Sequence, residues 1–208
     1  MLVLASASPR RRDLLSRAGV RFRVEPAGIA EESRVGEAPA ALAERLALEK
    51  AGHVATRLAS AAGASRESDT SVVLGCDTIV VLGGAVLGKP RDPAHARELL
   101  GSLVGREHSV ITAVAVGRAH LSPAAADWRS FTVSSRVTML PASAAEIERY
   151  VATGEPLDKA GAYALQGEGR RFVRDVVGSE TNVIGLPVEE TLELLSLYGI
   201  LPERERER

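Results

Sequence analysis

The stretch from Val72 to Leu82 constrains this chain more than any other, because it is an apolar strand pattern with an acid set inside it. Val72-Val73-Leu74-Gly75-Cys76 runs into Asp77, and a second apolar run, Ile79 to Leu82, begins two residues later. Strand interiors reject aspartate, since an ionised carboxylate buried without partners is very costly. Any fold built on this segment has to supply Asp77 with partners, which makes it the first candidate for chemistry.

The chain turns back soon afterwards. Val80, Val81 and Leu82 precede Gly83-Gly84, and Ala85, Val86 and Leu87 follow, so a two-residue hairpin is expected there; paired glycines permit the positive φ angles of tight turns. Such a hairpin carries Lys89 back toward the Asp77 end of the partner strand. Gly83 to Pro90 is also a near miss of the phosphate-binding P-loop string. That match is rejected, because Pro90 has no hydroxyl for a magnesium ion and a hairpin is not the strand–loop–helix the motif requires. Lys89 is retained as a point charge for a phosphate.

At the N-terminus, the apolar segment Leu2 to Ala5 leads into Ser8-Pro9-Arg10-Arg11-Arg12, which reads as a strand entering a helix. Ser8 suits the N-cap and Pro9 the first helical position, where its missing N–H is not needed. Leu14, Leu15 and Ala18 give the helix an apolar face. Unpaired N–H groups and the positive dipole end make this junction a candidate phosphate site, the alternative being a surface helix with a solvated basic end.

Lys50 is a second misfit. Leu42, Leu46 and Val54 recur at helical spacing and position 50 falls within their apolar arc, so this lysine must snorkel or meet an anion. Glu31 and Glu32 lie in the preceding loop, where solvated acids are the ordinary reading; one of them near Asp77 would help to hold a divalent cation. Two later segments, Asp158 to Gly167 and Gly178 to Pro187, are dense in small residues, which lets backbone approach a ligand closely. Gln166 has both a donor and an acceptor for a base edge, or else stabilises its loop.

Strand-like runs near 2–5, 21–25, 71–82, 108–117, 130–139 and 171–177 alternate with helical patterns near 9–18, 39–62, 93–103, 143–152 and 187–198, which argues for an α/β fold. Ser143 to Glu146 is a capping-box pattern, and Asp92-Pro93 also marks a helix start. Segments 61–71 and 118–129 read as surface loops, and the charged tail 202–208 as disordered. The 208 residues are 45% hydrophobic, enough for one sizeable domain or two lobes. No segment is apolar for long enough to span a bilayer and no signal-peptide core is evident, so a cytoplasmic location without membrane association is expected. A formal net charge of −1 argues against a sequence-independent nucleic-acid binder. The single Cys76 excludes an intrachain disulfide and reads as a packing residue, and histidines 53, 95, 108 and 120 lack metal-ligand spacing.

Taken in order, Ala5-Ser6-Ala7-Ser8-Pro9-Arg10-Arg11, Leu48-Glu49-Lys50-Ala51, Gly75-Cys76-Asp77-Thr78, Leu87-Gly88-Lys89-Pro90, His108-Ser109-Val110-Ile111-Thr112 and the two late loops resemble the Maf family of nucleoside triphosphate pyrophosphatases, across residues 2 to about 195. The resemblance implies a single domain over 1–201 with a fold similar to the inosine triphosphate pyrophosphatases: α/β, with an elongated mixed central sheet, flanking helices and a cleft between two lobes, commonly as a homodimer. It implies hydrolysis of the α–β phosphoanhydride bond of a nucleoside triphosphate, giving the monophosphate and pyrophosphate with a divalent cation, Mg²⁺ or Mn²⁺. By the same resemblance Asp77 matches the catalytic base and a metal ligand, and Glu31 a second acid at the metal. Ser8, Arg11, Lys50 and Lys89 match positions around the phosphates, and Arg10, Thr78 and Gln166 positions tied to substrate choice. Arg10 and Gln166 follow the pattern of the dTTP and UTP subgroup rather than that acting on 7-methyl-GTP. The alternatives are a pyrophosphatase for modified nucleotides and a regulator of septum formation acting by binding.

Overall fold

The structure, a computed structural model, describes residues 1–62, 71–119 and 127–203. The loop expected at 61–71, the connector at 118–129 and the charged tail therefore fall largely outside the described residues, as does His120. In chain order the elements are β1 (Leu2–Leu4), α1 (Pro9–Arg17), β2 (Phe22–Val24), α2 (Pro39–Ala62), β3 (Val72–Leu82), β4 (Ala85–Leu87), α3 (Pro93–Leu103), β5 (Glu107–Arg118), β6 (Arg129–Met139), α4 (Ala144–Ala152), β7 (Val173–Val177), α5 (Glu180–Ile184) and α6 (Val188–Ser196). Three 3-10 turns, Glu155–Asp158, Ala160–Ala162 and Glu168–Phe172, fill the interval before β7.

The seven strands form one mixed sheet in the order β2-β1-β3-β5-β6-β7, with β4 paired to β3 off this path. β1 is parallel to both β2 and β3, whereas β3–β4 and β6–β7 are antiparallel. The α/β reading thus holds, with flanking helices. The hairpin is as expected: Val80 faces Leu87, and Gly83 and Gly84 have φ of +57° and +87°. Local chemistry also sets the helix starts. The Ser8 side chain accepts from the Arg11 N–H, Asp92 from the His95 N–H at 2.8 Å, and Ser143 and Glu146 form a reciprocal capping box.

Two compact units emerge from the contacts. The first draws on the described residues of Met1–Asp77, Thr112–Thr132 and Gly185–Arg208. Its core combines the fully buried β1 with Val72, Val73 and Leu74 of β3, the α2 face Leu42, Leu46 and Val54, and residues 113–116 of β5. The second comprises Thr78–Ile111 and Val133–Ile184, and is built on Val80, Leu100, Leu103, Val137, Met139, Tyr150 and Phe172. Each buries a continuous apolar cluster, the dominant favourable term in folding.

Gly75 sets a key distance in the first unit. A Cβ there would collide with the Ala47 carbonyl and lie 2.8 Å from the Ala51 Cβ, so α2 rests on bare strand backbone. That close approach brings the α2 turn carrying Lys50 down beside the end of the Val72–Asp77 segment.

Candidate active site

Asp77 is buried, 5% exposed, and its Oδ1 accepts from the Lys50 Nζ at 2.6 Å. Lys50, 7% exposed, also lies 2.6 Å from Glu31 Oε1. Of the two outcomes open to a lysine in the α2 apolar arc, the structure gives the second: the ammonium meets two carboxylates. Removing one partner of a buried pair leaves an uncompensated charge, typically a loss of about 3–5 kcal/mol. The strand that rejects aspartate on general grounds tolerates Asp77 because Lys50 is held against it.

Glu31 belongs to no helix or strand, and its side chain is 40% exposed. Arg45, one turn before Lys50 on α2, braces the segment that carries it. The guanidinium donates to Glu37 at 2.6 and 2.7 Å, to the Glu32 carbonyl at 2.9 Å and to both Glu49 carboxylate oxygens at 3.1 Å. This forked contact holds the Glu37 carboxyl down at about 2.

The β1–α1 junction lies beside the first half of β3, which leads into Asp77. Leu4 pairs in register with Leu74, and the Ala5 N–H continues the ladder to the Leu74 carbonyl at 2.8 Å. Ser8 is half-buried as the cap and Arg10 is half-buried in the first turn. Arg11 turns inward, 8% exposed, donating from Nε to the Gly185 carbonyl at 2.8 Å and from Nη1 to Ser6 Oγ at 3.0 Å. These bonds tie the junction to the segment before α6, a bracing role that the basic Arg-Arg-Arg string does not announce.

Thr78, Lys89 and Gln166 belong to the second unit. Thr78 is half-buried, and Lys89 and Gln166 are exposed. The turn of Lys89 is joined to the later loop by the Gly161 N–H, which donates to the Gly88 carbonyl at 3.1 Å. That loop is tightly formed. Gly161 has φ of +69° against Val80 and Leu103, and Ala162, with φ of +57°, is the one non-glycine in the left-handed region among the described residues. A strained alanine of this kind costs on the order of 1 kcal/mol and persists only where its surroundings dictate it. Beside it, Tyr163 Oη and His108 Nε2 are 2.7 Å apart in a buried edge-to-face pair. Burial pushes the His108 pKa down to about 4 and the Tyr163 hydroxyl upward. In the sequence His108 stands out only within the His108–Thr112 string and as one of four histidines without metal-ligand spacing, since its partner lies 55 positions away.

Asp77 and Glu31 are the two acids that meet at one point here; among the described residues there is no group of three or more His, Cys, Asp or Glu side chains suited to a metal ion. Two carboxylates fit a magnesium-like ion whose remaining ligands are water and substrate phosphate, as such ions usually bind, and do not make an all-protein cage. The site therefore combines a buried acid, an adjacent ammonium, a second acid and a helix N-terminus, a set suited to accepting a proton and to neutralising phosphate charge.

A mixed α/β fold with this acid–lysine pair midway along a sheet strand, beside a strand-to-helix junction, defines a class of proteins suited to phosphate esters and anhydrides. The chain belongs to the Maf-like protein family, which it matches over residues 1–198. It is 48% identical to a dTTP/UTP pyrophosphatase of Anaeromyxobacter sp. over 95% of this chain and 89% of that protein. It is also 46% identical to a dTTP/UTP pyrophosphatase of Moorella thermoacetica, over 96% of this chain and 95% of the relative. A Salmonella typhimurium protein of the same description is 45% identical over 98% and 95% of the two chains.

Proposed function

We propose that this protein hydrolyses the α–β phosphoanhydride bond of dTTP and UTP to the nucleoside monophosphate and pyrophosphate. The observation that carries the reading is the buried Lys50–Asp77 pair shared with Glu31. Water attacks the α-phosphorus, the bond from that phosphorus to the bridging oxygen breaks, and pyrophosphate leaves. Asp77 takes the proton of the attacking water as general base, a role typically worth about 10²–10⁴-fold. Lys50 fixes the orientation of the Asp77 carboxylate.

Most of the acceleration in such a reaction is positioning and charge neutralisation. The N-terminus of α1 with Ser8 and Arg10 offers donors and positive charge to the phosphates, and Arg11 holds that junction in place; Lys89 is assigned to the phosphates by the family resemblance alone. Asp77 and Glu31 would hold a divalent cation, Mg²⁺ or Mn²⁺, whose contribution is to neutralise charge on the non-bridging oxygens. Thr78 and Gln166 read the nucleoside, with the Gln166 amide suited to a pyrimidine edge. By the family resemblance the same reading carries a cytoplasmic homodimer. No helix among the described residues is long and apolar enough to cross a membrane.

Pyrophosphate release by the purified protein with Mg²⁺ or Mn²⁺, measured across dTTP, UTP, CTP, 7-methyl-GTP and the purine triphosphates, tests the proposal. Turnover confined to dTTP and UTP supports both reaction and subgroup. A folded, metal-loaded protein that cleaves none of them overturns the enzymatic reading in favour of a regulator that acts by binding.

A further inference from the structure

Gln166 is exposed and belongs to no regular element, so something must fix it if it is to discriminate between nucleotides. The residues that follow are fastened from below by one side chain. Glu155 Oε2 accepts from the Glu168 N–H at 3.0 Å, and Glu155 Oε1 accepts from the Gly169 N–H at 3.0 Å and from the Tyr150 hydroxyl at 2.9 Å. Tyr150 is fully buried in α4 and packs edge-on against Phe172, so the carboxylate is itself held by the core of the second unit.

The chain lies close over this carboxylate. A Cβ on Gly167, whose φ is +82°, would sit 2.6 Å from Glu155 Oε2, and one on Gly169 would sit 2.5 Å from the Tyr150 hydroxyl and 2.6 Å from the Ala164 carbonyl oxygen. Gly169 is therefore required by its approach to the Ala164 backbone, and Gly167 by its left-handed φ. Burial alone would raise the Glu155 pKa, but bonds from the Gly169 and Glu168 amides and Tyr150 outweigh it, so the net shift is downward.

We infer that Glu155 is a specificity-determining positioning residue, which clamps the backbone at 167–169 and so holds Gln166 at the nucleoside. The inference rests on the base-reading role proposed for Gln166. Glutamine at position 155 would turn one accepting oxygen into an NH₂ that faces an N–H or O–H donor, so at least one of the three bonds must be lost.

The experiment compares wild type, Glu155→Gln and Gln166→Glu by KM and kcat for dTTP, UTP and CTP, and by amide hydrogen exchange over 164–170. Glu155→Gln is expected to speed exchange in that segment, to raise KM for dTTP and UTP roughly tenfold, as loss of one charge-assisted bond would, and to leave kcat near wild type. Its dTTP-to-CTP preference falls toward that of Gln166→Glu. Unchanged exchange, or faster exchange with the nucleotide preference intact, overturns the clamp. No wild-type turnover, or an indifferent Gln166→Glu, instead removes the reading beneath it. If Glu155→Gln does not fold, Tyr150→Phe deletes one bond of the three and is expected to move KM and exchange the same way by a smaller amount; no movement in either sinks the inference.

Discussion

Gly75 of β3 lies directly against the Ala47 carbonyl of α2, with no room for a side chain between them. Alanine at position 75 must push helix and strand apart, and overpacking of this kind typically costs about 1–3 kcal/mol. Gly75→Ala is therefore expected to lower the urea midpoint by a corresponding amount. It is also expected to reduce turnover, because Lys50 rides on the displaced helix turn. An unchanged midpoint would show that α2 can yield without cost.

The Lys50–Asp77 pair predicts a non-additive pattern. Lys50→Met leaves Asp77 buried beside an apolar chain and is expected to lose about 3 kcal/mol of unfolding free energy. Adding Asp77→Asn to that variant is expected to recover much of the loss, since the orphaned charge is gone. Additive losses in denaturant titrations would mean that the two residues do not interact.

Asp77→Asn alone is expected to lower kcat at least about 100-fold while the circular dichroism spectrum stays native. The asparagine keeps the size of the aspartate but cannot take the proton. Turnover close to wild type in the folded variant would remove Asp77 from the role of base.

His108 gives the fold an acid-sensitive component. Its folded pKa of about 4 lies below the ordinary value of 6.5, so the unfolded chain binds the proton more readily. The contribution is complete above pH 6.5, falls as pH drops from there, and is lost by about pH 4, amounting to roughly 3 kcal/mol. Stability measured across that window is expected to decline less steeply in His108→Gln. Parallel pH curves for the two proteins would contradict a buried neutral imidazole.

Gln166→Glu exchanges an amide donor for a second acceptor and is expected to narrow the preference for dTTP and UTP over other nucleotides. Identical nucleotide ratios would remove Gln166 from base recognition.

The parts legible in the sequence were those with a local cause. Gly83-Gly84 sets its own turn, Ser143 and Glu146 cap their own helix, and Asp77 and Lys50 each break a hydrophobic pattern where they stand. That the two misfits answer each other is a fact of packing at Gly75, which no pattern along the chain states. Glu155 was illegible for a different reason. Two of its three donors are backbone amides, and the 3-10 turns that present them have no periodicity to read. Arg45 was missed likewise, since its partners at 32, 37 and 49 include a main-chain carbonyl in an irregular segment.

Because Arg45 and Lys50 ride on one helix, α2 carries both the lysine that meets Glu31 and the brace of the segment bearing that acid. One residue inserted between positions 45 and 50 would rotate one relative to the other by about 100° around the helix axis. The spacing of these two side chains is thus a fixed length in the protein, intolerant of insertion or deletion even where the intervening side chains can be exchanged.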